Sequence, residues 1–150
     1  MSWLLCWLRT SGATLRRIRK IFVHHSASPA KTTTVERIDK WHKERGWTGV
    51  GYHFVIHLDG SVHQGRPIHK TGAHVKNHNS GSIGICGCGN FMEEVPSDAQ
   101  MLSLDILLRG LMAAYKVPIK HLYGHREMGA TQCPGDALIE QLVQWRDRNG

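Results

Sequence analysis

Long apolar runs are missing from this 150-residue sequence. A helix that spans a membrane needs roughly 18 or more apolar residues in succession, whereas the longest apolar patch, Trp3–Leu8, has six. We therefore expect no transmembrane segment. Apolar residues make up 41% and charged residues 21% of the chain, which is typical of a folded globular protein and not of a disordered one. The length suits one domain with a single core.

Cysteine and acidic residues are also scarce. The four cysteines include no C-x-x-C pair, which argues against both a disulfide framework and a four-cysteine zinc finger. Cys86 and Cys88 lie on one face of a predicted strand, where a bridge between them would be strained. The 12 acidic residues against 19 Lys and Arg give a formal charge of +7. This excess favours an anionic partner, which can be nucleic acid, a membrane surface or a cell-wall polymer.

The first 19 residues differ in character from the rest. The apolar patch Trp3–Leu8 comes first, and a basic cluster follows at Arg16, Arg17, Arg19 and Lys20. A secretory signal has the opposite order and a longer apolar stretch, so we expect no such signal. We interpret residues 1–19 as a loosely attached extension of a domain that covers residues 20–150. Residues 1–20 can contact a membrane surface or an unidentified protein partner.

Hydrophobic periodicity predicts the element order β-α-β-β-β-α-β-α. This order predicts an α/β fold, a single domain with a central mixed β-sheet flanked by helices. Residues 65–81 lack periodicity and predict a long surface loop of the kind that often carries function. The predicted strands cover residues 21–25, 52–58, 61–63, 82–88 and 121–123, and the predicted helices begin after Thr33, after Ser97 and at Asp136.

Histidine is abundant, with 11 residues, and two of the possible metal ligands share a loop. His125 follows a predicted strand, and Cys133 comes eight positions later in a loop that contains glycine and proline. Zinc takes nitrogen and sulfur ligands in tetrahedral geometry, and a catalytic site keeps one position open. A third ligand is expected from a strand, where His24 and His25 point to opposite faces and only one can serve. The alternative is a packed cysteine near a surface histidine.

A series of short motifs runs in order through residues 20–147. Its members are Phe22–Ala27, Trp41-His42, Gly46-Trp47, Gly51–Phe54, Asp59-Gly60, Gly72–His74, Ser82–Ile85, Gly124–Glu127 and Cys133–Gly135. Together they resemble the zinc-dependent N-acetylmuramoyl-L-alanine amidases, a family that includes amidase-type phage lysozymes and peptidoglycan recognition proteins. The resemblance implies a mixed sheet with helices on its faces and a zinc ion at the end of a substrate groove.

The resemblance also implies roles for individual residues. The zinc ligands would be His24, His125 and Cys133, and Tyr52 would be the catalytic tyrosine beside the metal. Thr131 would be a second catalytic residue, with capping of its own loop as the alternative. Many phage amidases carry lysine at this position, whereas the catalytic recognition proteins carry threonine.

Two further residues, His74 and Asn79, resemble groove residues that contact the glycan or the peptide. The activity implied is hydrolysis of the amide bond between N-acetylmuramic acid and L-alanine in peptidoglycan. Such a reaction needs a strong nucleophile at neutral pH and stabilisation of a tetrahedral oxyanion, which zinc and a tyrosine hydroxyl can supply.

The resemblance leaves three functional alternatives to the leading hypothesis. We expect a monomeric phage or prophage endolysin, made in the bacterial cytoplasm and acting on the cell wall or periplasm after release. The first alternative is a module that binds peptidoglycan without cleaving it. The second is a cytosolic amidase that recycles wall fragments, although those enzymes commonly have aspartate in place of Cys133. The third is a regulatory protein that binds another macromolecule through the basic extension, which can be a second activity of the same chain. No nucleic-acid-binding motif is present in the sequence, so a nucleic-acid partner is not expected.

Overall fold

The computed structural model describes residues 16–150, and within this range the elements follow the predicted order. None of the helices in this range is both long enough and apolar enough to cross a membrane. The strands are β1 (Lys20–His25), β2 (Phe54–Ile56), β3 (Val62–Gln64), β4 (Ser82–Gly87) and β5 (Leu122–Gly124). The helices are α1 (Val35–Glu44), α2 (Asp98–Tyr115) and α3 (Asp136–Asn149), with short 3-10 turns at Ile119–His121 and His125–Glu127.

The five strands form one mixed sheet in the order β3-β2-β4-β1-β5. Strand β1 lies between β4 and β5 and pairs with both in parallel. Strand β2 runs parallel to β4 but antiparallel to β3. The predicted α/β fold with a central mixed sheet is therefore confirmed. Because β1 and β5 are parallel neighbours, their carboxyl ends meet at the same edge of the sheet, the place where α/β proteins usually bind ligands.

The two faces of the sheet differ in what covers them. Helices α2 and α3 pack on one face, where Ile21, Val23, Ile83 and Ile85 belong to the larger hydrophobic cluster. Helix α1 packs on the other face, over a smaller cluster that includes Ile38, Val55, Cys86 and Cys88. Successive residues of a strand point to opposite faces. His24, which is paired in register with Cys86, therefore belongs to the α1 face.

The helix starts follow local hydrogen bonding. Ser97 caps α2, as the sequence predicts, and the structure adds a reciprocal capping box with Gln100. Helix α1 is capped by Thr34 and not by Thr33, because Thr34 has extended backbone angles and accepts from the Arg37 amide. The hydroxyl of Thr33 donates instead to the carbonyl of Pro29. The predicted start of α1 was thus wrong by one residue.

Residues just before β1 pack against the domain. Ile18 is only 6% exposed and belongs to the larger core cluster. Arg16 donates to the carbonyl oxygens of Ile68 and Ser82, both at 2.7 Å. The predicted boundary after residue 19 therefore runs through a packed segment. The apolar patch of the predicted extension lies outside the described residues.

Candidate metal centre

Three side chains converge where β1 and β5 end. His24 lies on β1, His125 follows β5 directly, and Cys133 lies in the loop before α3. One ligand atom from each of the three falls within 4.8 Å of the others. Nδ1 of His24 is 3.6 Å from Sγ of Cys133, and the His24 and His125 ring centroids are 4.8 Å apart. Two imidazole nitrogens and one sulfur form a donor set that zinc prefers in proteins.

The adjacent pair of histidines divides between the two faces of the sheet. Nδ1 of His25 accepts a hydrogen bond from the Phe91 amide at 3.1 Å. This bond holds the His25 ring away from the cluster of His24, His125 and Cys133. The backbone amide of His25 nevertheless donates to Sγ of Cys133 at 3.4 Å. Of the two histidines, His24 is therefore the one whose side chain joins the cluster.

The loop that carries Cys133 is held at several points. The amide of Arg126 donates to the Cys133 carbonyl at 2.7 Å. The Arg126 guanidinium donates to the Gln132 carbonyl and pairs with Asp136 at 2.8 Å. The amide of Cys133 donates to Oγ1 of Thr131 at 3.2 Å. These bonds hold the backbone of the Cys133 loop in place.

Burial keeps the cluster neutral at neutral pH. It holds the pKa of His24 well below the usual value, and it also lowers the pKa of His125. Burial raises the pKa of the Cys133 thiol to about 12. Both imidazoles thus have a free lone pair, whereas the thiol has to lose its proton when a metal ion binds.

Tyr52 lies beside this cluster. Its ring centroid is 5.0 Å from that of His24. Burial, and after it the nearby thiols of Cys86 and Cys133, raise the pKa of the Tyr52 hydroxyl well above the usual value. At neutral pH the hydroxyl therefore keeps its proton and can act as a hydrogen-bond donor.

Thr131 is exposed and lines the groove in front of the cluster. Because Oγ1 accepts from the Cys133 amide, the loop-capping contact considered for this residue is present. A hydroxyl can accept and donate at the same time, so this contact leaves the Thr131 proton available to a ligand.

A groove of about 860 Å³ opens in front of the cluster. Its wall includes the 38% exposed Trp47, whose ring lies 4.6 Å from that of His42. His74 and Asn79 both line the groove as well. Oδ1 of Asn79 accepts from the amides of His74 and Val75, at 2.8 and 2.9 Å.

His74 also contacts His24 of the candidate metal centre directly. Its Nδ1 lies 2.9 Å from Nε2 of His24, on the side of that ring away from Cys133. Its Nε2 lies 3.2 Å from Oγ of Ser82, a residue to which the sequence motifs assign no role of its own. The period of two in β4 could have identified Ser82, because it places positions 82, 84 and 86 on the face that carries His24.

Comparison with known proteins places the chain among amidases. The family model described as N-acetylmuramoyl-L-alanine amidase matches residues 14–136. The endolysin of Escherichia phage T7 is 40% identical over 135 residues, which cover 86% of this chain and 85% of that protein. The fold is similar to the N-acetylmuramoyl-L-alanine amidase LysC from Clostridium intestinale, with a TM-score of 0.80, 36% identity and coverage of 88% and 87%. Wild-type Drosophila PGRP-LB has a TM-score of 0.77 at 30% identity, covering 89% of each chain.

Proposed function

Since the chain belongs to the N-acetylmuramoyl-L-alanine amidase family, we propose that it hydrolyses peptidoglycan with a zinc ion held by His24, His125 and Cys133. The bond cleaved is the amide between N-acetylmuramic acid and L-alanine. The convergence of two neutral imidazoles and one thiol at the head of a groove is the observation that supports this assignment most strongly.

The three side chains fit zinc in kind and number. A catalytic zinc site has three protein ligands and one position left for water or substrate. When bound, the ion supplies a Lewis acid for the carbonyl and a water of lowered pKa. The backbone amide of His25, which donates to Sγ of Cys133, helps to stabilise the thiolate that binding requires.

Tyr52 supplies a proton-bearing hydroxyl to the reacting carbonyl. The negative charge on that oxygen grows as the amide becomes tetrahedral, and a fixed donor stabilises it more than it stabilises the ground state. The raised pKa of Tyr52 supports this role, because a phenolate would repel the same oxygen.

Thr131 offers a second hydroxyl, from the loop that carries Cys133. Its Oγ1 accepts from the Cys133 amide and so restrains the rotation of the side chain. Its proton then remains to donate to the substrate or to the oxyanion. In this proposal Thr131 both orders the Cys133 loop and contacts the reacting group.

The groove provides contacts for the glycan and the peptide. Trp47 offers an aromatic surface for a sugar ring or an alkyl side chain. Arg45 and Lys76 bring positive charge to the same groove, which suits the carboxylates of a stem peptide. We propose that His74 and Asn79 form the groove wall that the substrate contacts, with the Asn79 amide nitrogen as the donor.

The relatives indicate the biological setting. Phage endolysins are among the proteins most similar to this chain, and we propose that it acts as a monomer on the bacterial wall after release from the cytoplasm. A binding module without activity is disfavoured because all three ligands and Tyr52 are present together. A recycling amidase is disfavoured because Cys133 stands where those enzymes commonly have aspartate.

Mass spectrometry of purified peptidoglycan, digested with and without a chelator, tests the proposed function. We expect stem peptides with free L-alanine amino ends, loss of this product after chelation, and recovery when zinc is returned. Cleavage within the glycan or within the peptide would contradict the assigned bond. Full activity in the presence of the chelator would contradict the role of zinc.

A further inference from the structure

The hydroxyl of Ser82 lies at the end of a hydrogen-bonded chain that leads to the candidate metal centre. The chain runs from Nε2 of His24 to Nδ1 of His74 at 2.9 Å, and from Nε2 of His74 to Oγ of Ser82 at 3.2 Å. It ends at the backbone carbonyl of Asn79, 3.0 Å from Oγ of Ser82. Ser82 is fully buried at the start of β4.

The direction of every bond in this chain follows from its last member. A carbonyl oxygen can only accept, so the single proton of the Ser82 hydroxyl points to Asn79. The Ser82 oxygen must then accept from His74, which places the His74 proton on Nε2. Nδ1 of His74 is consequently a lone pair, and it accepts a proton carried by Nε2 of His24.

This order leaves Nδ1 of His24 unprotonated. Nδ1 is the nitrogen that lies 3.6 Å from Sγ of Cys133, on the side of the candidate metal centre. A metal ion binds an imidazole only through a nitrogen lone pair, and the hydrogen bond made by the other nitrogen decides which tautomer is present.

We propose that Ser82 is a positioning residue for metal binding, because it fixes the tautomer of His24 through His74. The inference rests on the proposed function in one respect, that His24 is a zinc ligand. It goes further in assigning the control of that ligand to a hydroxyl that contacts neither the metal centre nor the groove.

The surroundings of the His74 ring hold this hydrogen-bonded chain in place. Its backbone amide donates to Oδ1 of Asn79, so Asn79 contacts both His74 and, through its carbonyl, Ser82. Its ring lies directly over Gly84, where an added Cβ would come within 2.7 Å of Cγ of His74. Phe22 packs edge-on against the ring with centroids 5.9 Å apart. The His74 ring therefore has little freedom to turn and reverse its two nitrogens.

The first test is the tautomer of each ring in the metal-free protein. Long-range ¹H–¹⁵N correlation spectra at neutral pH distinguish a protonated Nδ1 from a protonated Nε2. We expect the Nε2-protonated form for both His24 and His74. A proton on Nδ1 of either ring would overturn the proposal, and this measurement requires no variant and no bound zinc.

The second test compares Ser82→Ala with Ser103→Ala. Both changes remove a hydroxyl that donates to a backbone carbonyl, but Ser103 lies on α2 and donates to Gly60. Loss of a group behind a metal ligand typically weakens metal binding about 10- to 100-fold. We expect a loss in this range for Ser82→Ala, measured by chelator competition, together with a mixture of His74 tautomers. We expect wild-type affinity for Ser103→Ala.

Unchanged zinc affinity and unchanged tautomers in a folded Ser82→Ala protein would overturn the proposal. The proposed function fails separately, if the wild-type protein binds no zinc or leaves peptidoglycan intact. In that case the tautomers of the metal-free protein still report on Ser82, so the two failures are distinguishable.

Discussion

The guanidinium of Arg16 donates a hydrogen bond to the backbone carbonyl of Ser82, 66 positions away in the chain, with an N–O distance of 2.7 Å. The same Nη2 lies 2.9 Å from Nε2 of the buried His53. The segment that enters β1 is thus tied to the amino end of β4. The Ser82 carbonyl accepts a hydrogen bond from Arg16, and the Ser82 hydroxyl is hydrogen-bonded to His74.

This contact predicts different outcomes for two truncations. Removing residues 1–15 should leave folding and zinc content intact, because the family motifs and the packed residues Arg16 and Ile18 are all retained. Removing residues 1–19 should lower the free energy of unfolding by several kcal/mol, because it deletes both Arg16 and Ile18. Loss of a buried large aliphatic side chain alone costs about 2–5 kcal/mol. Denaturant titration of both proteins provides the measurement.

Single substitutions separate the two contributions. Ile18→Ala should lower stability, whereas Arg17→Ala, at an exposed neighbour, should change it by no more than about 0.5 kcal/mol. Equal stability of both truncated proteins would contradict the structural role of residues 16–19.

We predict one zinc ion per chain and its loss in Cys133→Ala. The substitution removes the single sulfur of the donor set, and two imidazoles alone bind zinc much more weakly. Elemental analysis after dialysis measures the stoichiometry. Cys88→Ala is the control, since it removes a buried thiol that lies outside the cluster. Zinc retained at full occupancy in Cys133→Ala would show that the metal binds elsewhere.

Tyr52→Phe should slow turnover about 100- to 1,000-fold, the usual effect of losing one oxyanion donor. Zinc content should stay at the wild-type value because only a hydroxyl is removed. Hydrolysis of a muramyl-peptide and zinc content are to be measured on the same sample. Loss of zinc would instead assign Tyr52 a structural role, and a wild-type rate would remove it from the mechanism.

Thr131→Val should reduce turnover by about 10-fold or more, since it removes both the acceptor for the Cys133 amide and the proposed donor to the substrate. Thr131→Ser keeps both functions of the hydroxyl and should stay close to the wild-type rate. The same hydrolysis assay compares the two variants. Equal rates for valine and serine would show that the hydroxyl is dispensable.

Stability should fall as the pH drops from about 6.5 towards 4. Burial lowers the pKa of His42 from 6.5 to about 4, while its Nδ1 accepts from the Gly51 amide at 2.9 Å. In that window the unfolded chain takes up a proton that the folded chain does not. The stabilisation is therefore complete above pH 6.5 and is lost on acidification, by at most about 1.4 kcal/mol per pH unit for one such group.

His42→Asn tests this pH dependence. The asparagine Oδ1 can accept from Gly51 but does not titrate, so the slope of stability against pH should flatten in metal-free protein. His69→Asn, at an exposed histidine, controls for loss of an imidazole as such and should keep the wild-type slope. An unchanged slope in His42→Asn would rule out His42 as a source of the acid sensitivity.

Local patterns were sufficient to predict much of the fold. The cap at Ser97 is a local signal that marks the start of α2. Asp59-Gly60 lies between the strands predicted at 52–58 and 61–63, and it joins β2 to β3. The predicted start of α1 was wrong by one residue because Thr33 and Thr34 are both good N-cap residues. Contacts with Pro29 and Arg37 decide between them.

The candidate site required more than local patterns. Histidine and cysteine content alone left His24 and His25 equivalent, and the family resemblance made the choice between them. Arg16 and Ser82 were not identified, because their contacts join segments far apart in the chain. The period of two in β4 gives the face on which Ser82 lies but not the partners of its hydroxyl, and a basic cluster is usually an exposed surface.

Cys133 follows His24 by 109 positions, and the strands that bring the two together are β1, near the start of the described chain, and β5, near its end. During synthesis on a ribosome, the candidate metal centre cannot form until residue 133 has emerged from the exit tunnel. Parallel pairing of distant strands is also slow to nucleate, because loop closure precedes the contacts that stabilise it. A chain that ends before residue 133 thus lacks the complete candidate donor set, and we expect no hydrolytic activity from it.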